Sequence, residues 1–272
     1  MLFCAFCTSA IAEEKQNRMT ESFSLLKKCP FGRTLIQKAK RRLAAKTDSE
    51  LIALFRSSSV SKTDATLTRQ FNPETGEEFR KRDVTIYLRA EQNINDLVLD
   101  MAHELAHFVF IQPWDPYDPA LTAAQYIYTA IEKPGGEVDA IDAECRVGLE
   151  LSIARGLSAE RCKTYLIGIK GQVDRNKIKE DLYKVGRHKG QFVKTLGLES
   201  ELFPLLSDQP PALFSSTGKA PYPIALLAEF KELTDIACEN SRRRIESIGG
   251  RSPASEFFKE KDAYFLSRRC NN

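Results

Sequence analysis

Residues 100–110 read DMAHELAHFVF, an apolar run interrupted by two histidines and a glutamate. Charged and imidazole side chains are seldom buried without partners. A segment that places three of them among Leu, Ala, Phe and Val must therefore fold against groups that satisfy them. The chain holds three histidines, of which His103 and His107 fall here and His188 lies far downstream. On a helix, residues four apart share a face, so both imidazoles can reach one point, and Glu104 stands about 100° around from that face. This is the HExxH spacing: two imidazoles one turn apart supply nitrogen ligands to zinc, and the carboxylate beside them can take a proton from zinc-bound water. The helix is expected to start at Asn93 or Asn95, either of which can cap it, and to stop at Gln112-Pro113. Asp96 and Asp100 in its first turns suit the helix dipole, and Asp100 also falls on the stripe of His107, where it can support the site.

Two histidines do not complete a catalytic zinc site, which needs three protein ligands and one open position. No histidine follows at short spacing, so a carboxylate is expected. The next long helix, roughly 137–155, carries four acids in an apolar setting, at 137, 139, 142 and 144. At about 100° per residue, Glu137 and Glu144 fall on one face and Asp139 and Asp142 on the other. Glu137, at the helix start, is the expected third ligand. Glu144, two turns on, either orients a ligand histidine or is itself the ligand. A donor for a transition-state oxyanion is sought in His188, with Tyr126, Tyr128 and Tyr183 as alternatives.

HELAH on a helix, followed by a glutamate in the form Glu137-x-x-Ala140 on a later helix, resembles the gluzincin branch of the zincin metallopeptidases over about residues 60–155. Position 141, where thermolysin-like enzymes carry an aspartate, is Ile141. The resemblance implies a zinc-dependent endopeptidase, with Zn²⁺ as cofactor, a peptide or protein as substrate, and Glu104 as the general base. It also implies that the strand before the active-site helix, DVTIYLRA (83–90), lies at the cleft edge and pairs with extended substrate.

At 42% hydrophobic the chain can bury a sizeable core. Its 40 basic and 37 acidic residues leave a charge of +3, too slight a bias to point to nucleic acid. The clusters at 40–42 and 242–244 read as solvated helix faces. Residues 1–12 are uncharged and end in Ala10-Ile11-Ala12 before an acidic pair, the small-residue pattern of a signal-peptide cleavage site. The basic n-region is missing, so the segment is either a signal shortened by a wrong start codon or an apolar N-terminus. Export to a secreted or periplasmic location is the expectation, with no membrane span. Cys4 and Cys7 would leave with such a signal. The remaining five cysteines allow at most two internal disulfides and one free thiol.

Residues 20–56 read as helical, including DSELIALF (48–55). ATLTRQF (65–71) and DVTIYLRA alternate as strands around a turn at Asn72-Pro73-Glu74-Thr75-Gly76, which predicts an antiparallel pair. Further helices are expected near 121–131, 176–195, 224–246 and 253–268, with irregular chain over the proline-rich stretch 199–223. The fold class is therefore α+β: a mainly helical zincin-like domain over 20–175 with a small sheet, and a helical C-terminal region over 176–272. Two rival readings stand beside the peptidase. One is a zinc-binding, non-proteolytic regulatory or toxin-like protein acting through a partner; the other is a structural helical protein without metal.

Overall fold

The computed structural model describes residues 4–72, 77–112, 114–156, 160–168, 171–216, 218–248 and 253–270, with side chains from Glu14 onward other than those of Phe71 and Ala254. It is α+β and mostly helical, with one three-stranded and one two-stranded sheet. Among the described residues no helix is long and apolar enough to cross a membrane. Helices α1 (Cys4–Lys28), α2 (Pro30–Leu43) and α3 (Asp48–Ile52) lead into strands β1 (Phe55–Ser58), β2 (Lys62–Phe71) and β3 (Glu78–Arg89). The backbone of α1 runs through the expected cleavage site at residue 12, and residues 73–76 of the expected turn lie outside the described residues.

The predicted antiparallel pairing of β2 with β3 is present, in register from Lys62 opposite Tyr87 to Phe71 opposite Glu78. Two expectations change. Phe55 does not end a helix; it opens β1, which pairs in parallel with β3 from Ile86 to Arg89. The helical pattern of 48–55 yields to this pairing because it buries Phe55 and satisfies the Leu54 carbonyl through the Ile86 N–H. The sheet order is consequently β1-β3-β2. DVTIYLRA thus lies in the middle of the sheet, paired on both sides over its last residues, and cannot offer that stretch to a substrate. The edge strands are β1 and β2.

Helix α4 (Ile94–Phe110) follows, capped by Asn93, whose side chain accepts from the Asp96 N–H at 2.9 Å. Then come α5 (Ala123–Glu132), begun by a capping box of Thr122 and Gln125, and α6 (Glu137–Arg155), closed by Gly156 in the left-handed region. A 3₁₀ turn (Glu160–Tyr165), a short hairpin of β4 (Leu166–Ile167) and β5 (Gln172–Val173), α7 (Arg175–Leu182) and α8 (Lys189–Leu196) lead to α9 (Tyr222–Ser247) and α10 (Pro253–Arg269). The single helix expected over 176–195 is broken. Gly186 takes φ +56°, and Val185 and Gly186 donate their N–H groups to Ser207 and Gln209, which draws the chain out of the helix.

Apolar packing falls into two principal cores that meet on α6. One face of α6, with Ala140, Ala143, Val147 and Leu151, joins Leu26, Leu35, Ile86, Leu97, Met101 and Leu105. The other, with Val138, Ile141 and Cys145, joins Ile127, Ile178, Tyr183 and Phe192. Because α6 contributes to both cores, the seam in the packing runs along this helix. Helices α9 and α10 are joined by the Cys238–Cys270 disulfide and by Arg244, which pairs with the buried Asp262. Arg42 donates to the Val109 and Ile111 carbonyls at the end of α4, at 2.8 and 2.9 Å. Each expected solvated cluster therefore contributes one arginine to structure, because carbonyls or a carboxylate lie within its reach. Cys145 bonds Cys162, and Cys29 is a buried free thiol pushed up to about 11 by burial. The five cysteines thus form the expected two disulfides and one thiol.

Candidate metal centre

Helix α4 presents His103 and His107 toward the first turn of α6. Their Nε2 atoms are 3.2 Å apart, and Glu137 reaches between them, with Oε2 3.4 Å from His103 Nε2 and Oε1 3.5 Å from His107 Nε2. Ligand atoms at zinc distances of 2.0 to 2.1 Å stand about 3.3 to 3.4 Å apart along the edges of a tetrahedron. The two imidazole nitrogens stand near that spacing, and each Glu137 oxygen lies near it from one of the two nitrogens, so the carboxylate spans the pair. Their meeting depends on the turn before α6. Gly135 takes φ +79° and runs so close to the end of α4 that a Cβ there would lie 2.1 Å from the Ile111 nitrogen. Only glycine fits. Its carbonyl accepts from His107 Nδ1 at 2.7 Å, and its N–H donates to Asp139 at 2.9 Å.

These contacts set the ring tautomers. A carbonyl can only accept, so His107 carries its proton on Nδ1 and turns the Nε2 lone pair inward. His103 Nδ1 meets Glu144 Oε2 at 3.1 Å, which sets the second ring in the same way. Glu144 thus stands behind His103, and Glu137 in front of both rings. Glu137 Oε2 is buried without a hydrogen-bond partner among the described residues. Asp139 and Asp142 face away and pair with Arg175, as the helical wheel predicts.

Two inward lone pairs at 3.2 Å beside a carboxylate call for positive charge. Burial lowers the proton affinity of His103, but its pairing with the Glu137 and Glu144 carboxylates outweighs it and holds the ring well above its ordinary 6.5. His107 is raised too, where the charge of Glu137 overcomes burial. Burial would raise Glu137, yet the two imidazoles bring it below its ordinary range. A proton is one way to satisfy this cluster; a divalent cation is the other. The nitrogen and carboxylate donors, their close convergence and the Glu137 oxygen left without a hydrogen bond all suit zinc. A second group, Glu144 with Cys145 and Cys162, also lies within ligand reach, but its sulfurs are joined to each other and supply no thiolate.

Glu104 is buried, 5% exposed, and its Oε2 accepts from the Thr63 hydroxyl of β2 at 2.7 Å. Burial raises its proton affinity, which moves it toward the range of a base that works near neutral pH. Asp100 does not serve as a solvated first-turn charge: it is buried and held by Ser61, Gln92 and Arg161.

The expected oxyanion donors lie elsewhere or have other partners. His188 sits in the 3₁₀ turn Gly186–His188 between α7 and α8, outside the His103, His107 and Glu137 cluster. Tyr126 bonds Glu229 and packs against Trp114, Tyr128 lies under Lys133, and the Tyr183 hydroxyl donates to Glu132 at 2.9 Å. The tyrosine beside the centre is instead Tyr222, in the first turn of α9, whose hydroxyl is raised well above its ordinary value by burial and then by the nearby Glu137 and Glu104 charges. In the sequence it stands between Pro221 and Pro223 at the end of an irregular stretch, with no periodicity to link it to α4. Only the packing of α9 brings it there.

Comparison with protein-family models, with curated proteins and with solved structures finds no match. The functional reading therefore rests on this geometry.

Proposed function

We propose that the protein is a zinc-dependent peptidase, with His103, His107 and Glu137 as zinc ligands and Glu104 as general base. The observation that carries this reading is the convergence of two imidazole nitrogens and the Glu137 carboxylate on one point, with a separate buried carboxylate, Glu104, beside His103 in the chain. Zinc, when bound, supplies Lewis acidity that acidifies water and polarises a carbonyl. Glu104 takes the proton from the attacking water and passes it to the leaving amine. Thr63 keeps its carboxylate aimed. An extended peptide adds to the outer side of β2, the one of the two edge strands that carries Thr63. Tyr222, at the ligand carboxylate, donates to the oxyanion of the tetrahedral intermediate.

The two disulfides fit an oxidising compartment, and so support export of the chain. Elemental analysis of protein purified without added zinc should give close to one equivalent, and the same preparation should cleave an unfolded protein. Less than a tenth of an equivalent would count against the metal centre and for a purely structural helical protein. Tyr222→Phe should lower kcat about a hundredfold with KM and zinc content nearly unchanged. Equal losses in kcat and zinc content would reassign Tyr222 to support of Glu137.

A further inference from the structure

The metal centre is braced from behind by an arginine. Arg161 lies in the 3₁₀ turn after α6; its Nε donates to Glu144 Oε1 at 2.5 Å and its Nη2 to Asp100 Oδ1 at 2.7 Å. The other Glu144 oxygen faces His103 Nδ1 at 3.1 Å. The carboxylate that sets the His103 ring is thus itself prevented from rotating, and the guanidinium that does this is anchored on α4 through Asp100. Asp100 is in turn held by Ser61 and Gln92. The chain Ser61, Asp100, Arg161, Glu144, His103 connects the link between β1 and β2 to the metal-facing imidazole.

A single 3₁₀ turn has little power to hold a long side chain in place. The covalent link does that here. Cys145 immediately follows Glu144, Cys162 immediately follows Arg161, and the two cysteines are bonded to each other, so the disulfide joins the chain neighbours of the ion pair. Both half-cystines are fully buried.

Resting on the zinc reading above, we infer that Arg161 is a positioning residue for the metal centre, set in place by the Cys145–Cys162 disulfide, so that zinc affinity depends on a bond that touches no ligand. Partners behind a ligand histidine typically govern metal affinity by 10- to 100-fold. A lysine can replace the charge but lacks the planar fork that meets the two carboxylates in fixed directions.

The test is zinc titration of the full chain against a chromophoric chelator, with folding checked by circular dichroism. Arg161→Met should weaken zinc binding at least about tenfold, and Arg161→Lys should weaken it less. The pair Cys145→Ala with Cys162→Ala should weaken it in the same direction. The triple variant should be no weaker than about its worse parent, because both changes remove one support. A merely structural tether would lower the melting temperature and leave the affinity of the folded protein unmoved. Affinities within twofold of wild type, or losses that add in full in the triple variant, would overturn the inference. Should Arg161→Met fail to fold, Arg161→Lys and the cysteine pair decide the matter. A wild-type chain that binds no zinc removes the metal reading and this inference together; a wild type that binds, with unchanged variants, removes only this one.

Discussion

Glu104→Gln is expected to lower kcat/KM for cleavage of an unfolded protein by about a thousandfold while the purified protein keeps its zinc. The substitution preserves shape, and the Thr63 hydroxyl that now donates to the carboxylate at 2.7 Å can donate to the amide oxygen instead. Neither His103 nor His107 is altered by the substitution. What is lost is the proton acceptor. An amide cannot take a proton from water near neutral pH, so the chemical step fails while binding remains. The measurement is steady-state cleavage of a reduced, alkylated protein, paired with elemental analysis of each preparation. Zinc in both proteins and cleavage in neither would leave the regulatory or toxin-like reading in place of the peptidase. Loss of zinc from the variant would instead make Glu104 part of the metal's own support.

The parts of this site that are local in the chain could be read from it, and the parts that are tertiary could not. His103, Glu104 and His107 lie on one capped helix, so a period of 3.6 residues places them without reference to anything else. The same period separates Glu137 and Glu144 from Asp139 and Asp142, and the structure keeps that division. It does not say which of the two glutamates is in front. That depends on Gly135, whose left-handed backbone brings the start of α6 against the end of α4. Arg161 and Tyr222 depend on still longer reach, one through a disulfide and the other through the packing of α9. The strands show the same contrast. Alternation reveals β2 and β3, but β1 is too short to alternate and is strand only because β3 lies beside it. For that reason the edge strands were not identifiable from the residues alone.

Removing the metal should lower the melting temperature of the wild-type chain, and by more at higher pH. The centre joins α4 to α6, on which the two principal cores meet, so a ligand held there stabilises the contact between them. With free zinc at about a thousand times its dissociation constant, the gain is about 4 kcal/mol, or roughly 10 °C for a chain of this size. The pH dependence follows from the protons that replace the metal. In the metal-free protein, His103 and His107 are raised above their ordinary 6.5, so the stability they contribute is fully present below that value and is lost as the pH rises through their raised values. Glu137 is lowered, so its contribution is present above its ordinary 4.5 and is lost only as the pH falls through its lowered value. Zinc requires both imidazoles neutral, and its affinity therefore rises over the range in which the metal-free cluster loses its protons. Calorimetric melting with and without chelator should show a small gap at pH 6 and a larger one at pH 8, and zinc binding near neutral pH should release protons to the buffer. His103→Ala should erase the gap at both values. A gap that is absent in the wild type, or that widens toward acid, would mean that imidazoles and carboxylate do not grip a shared cation.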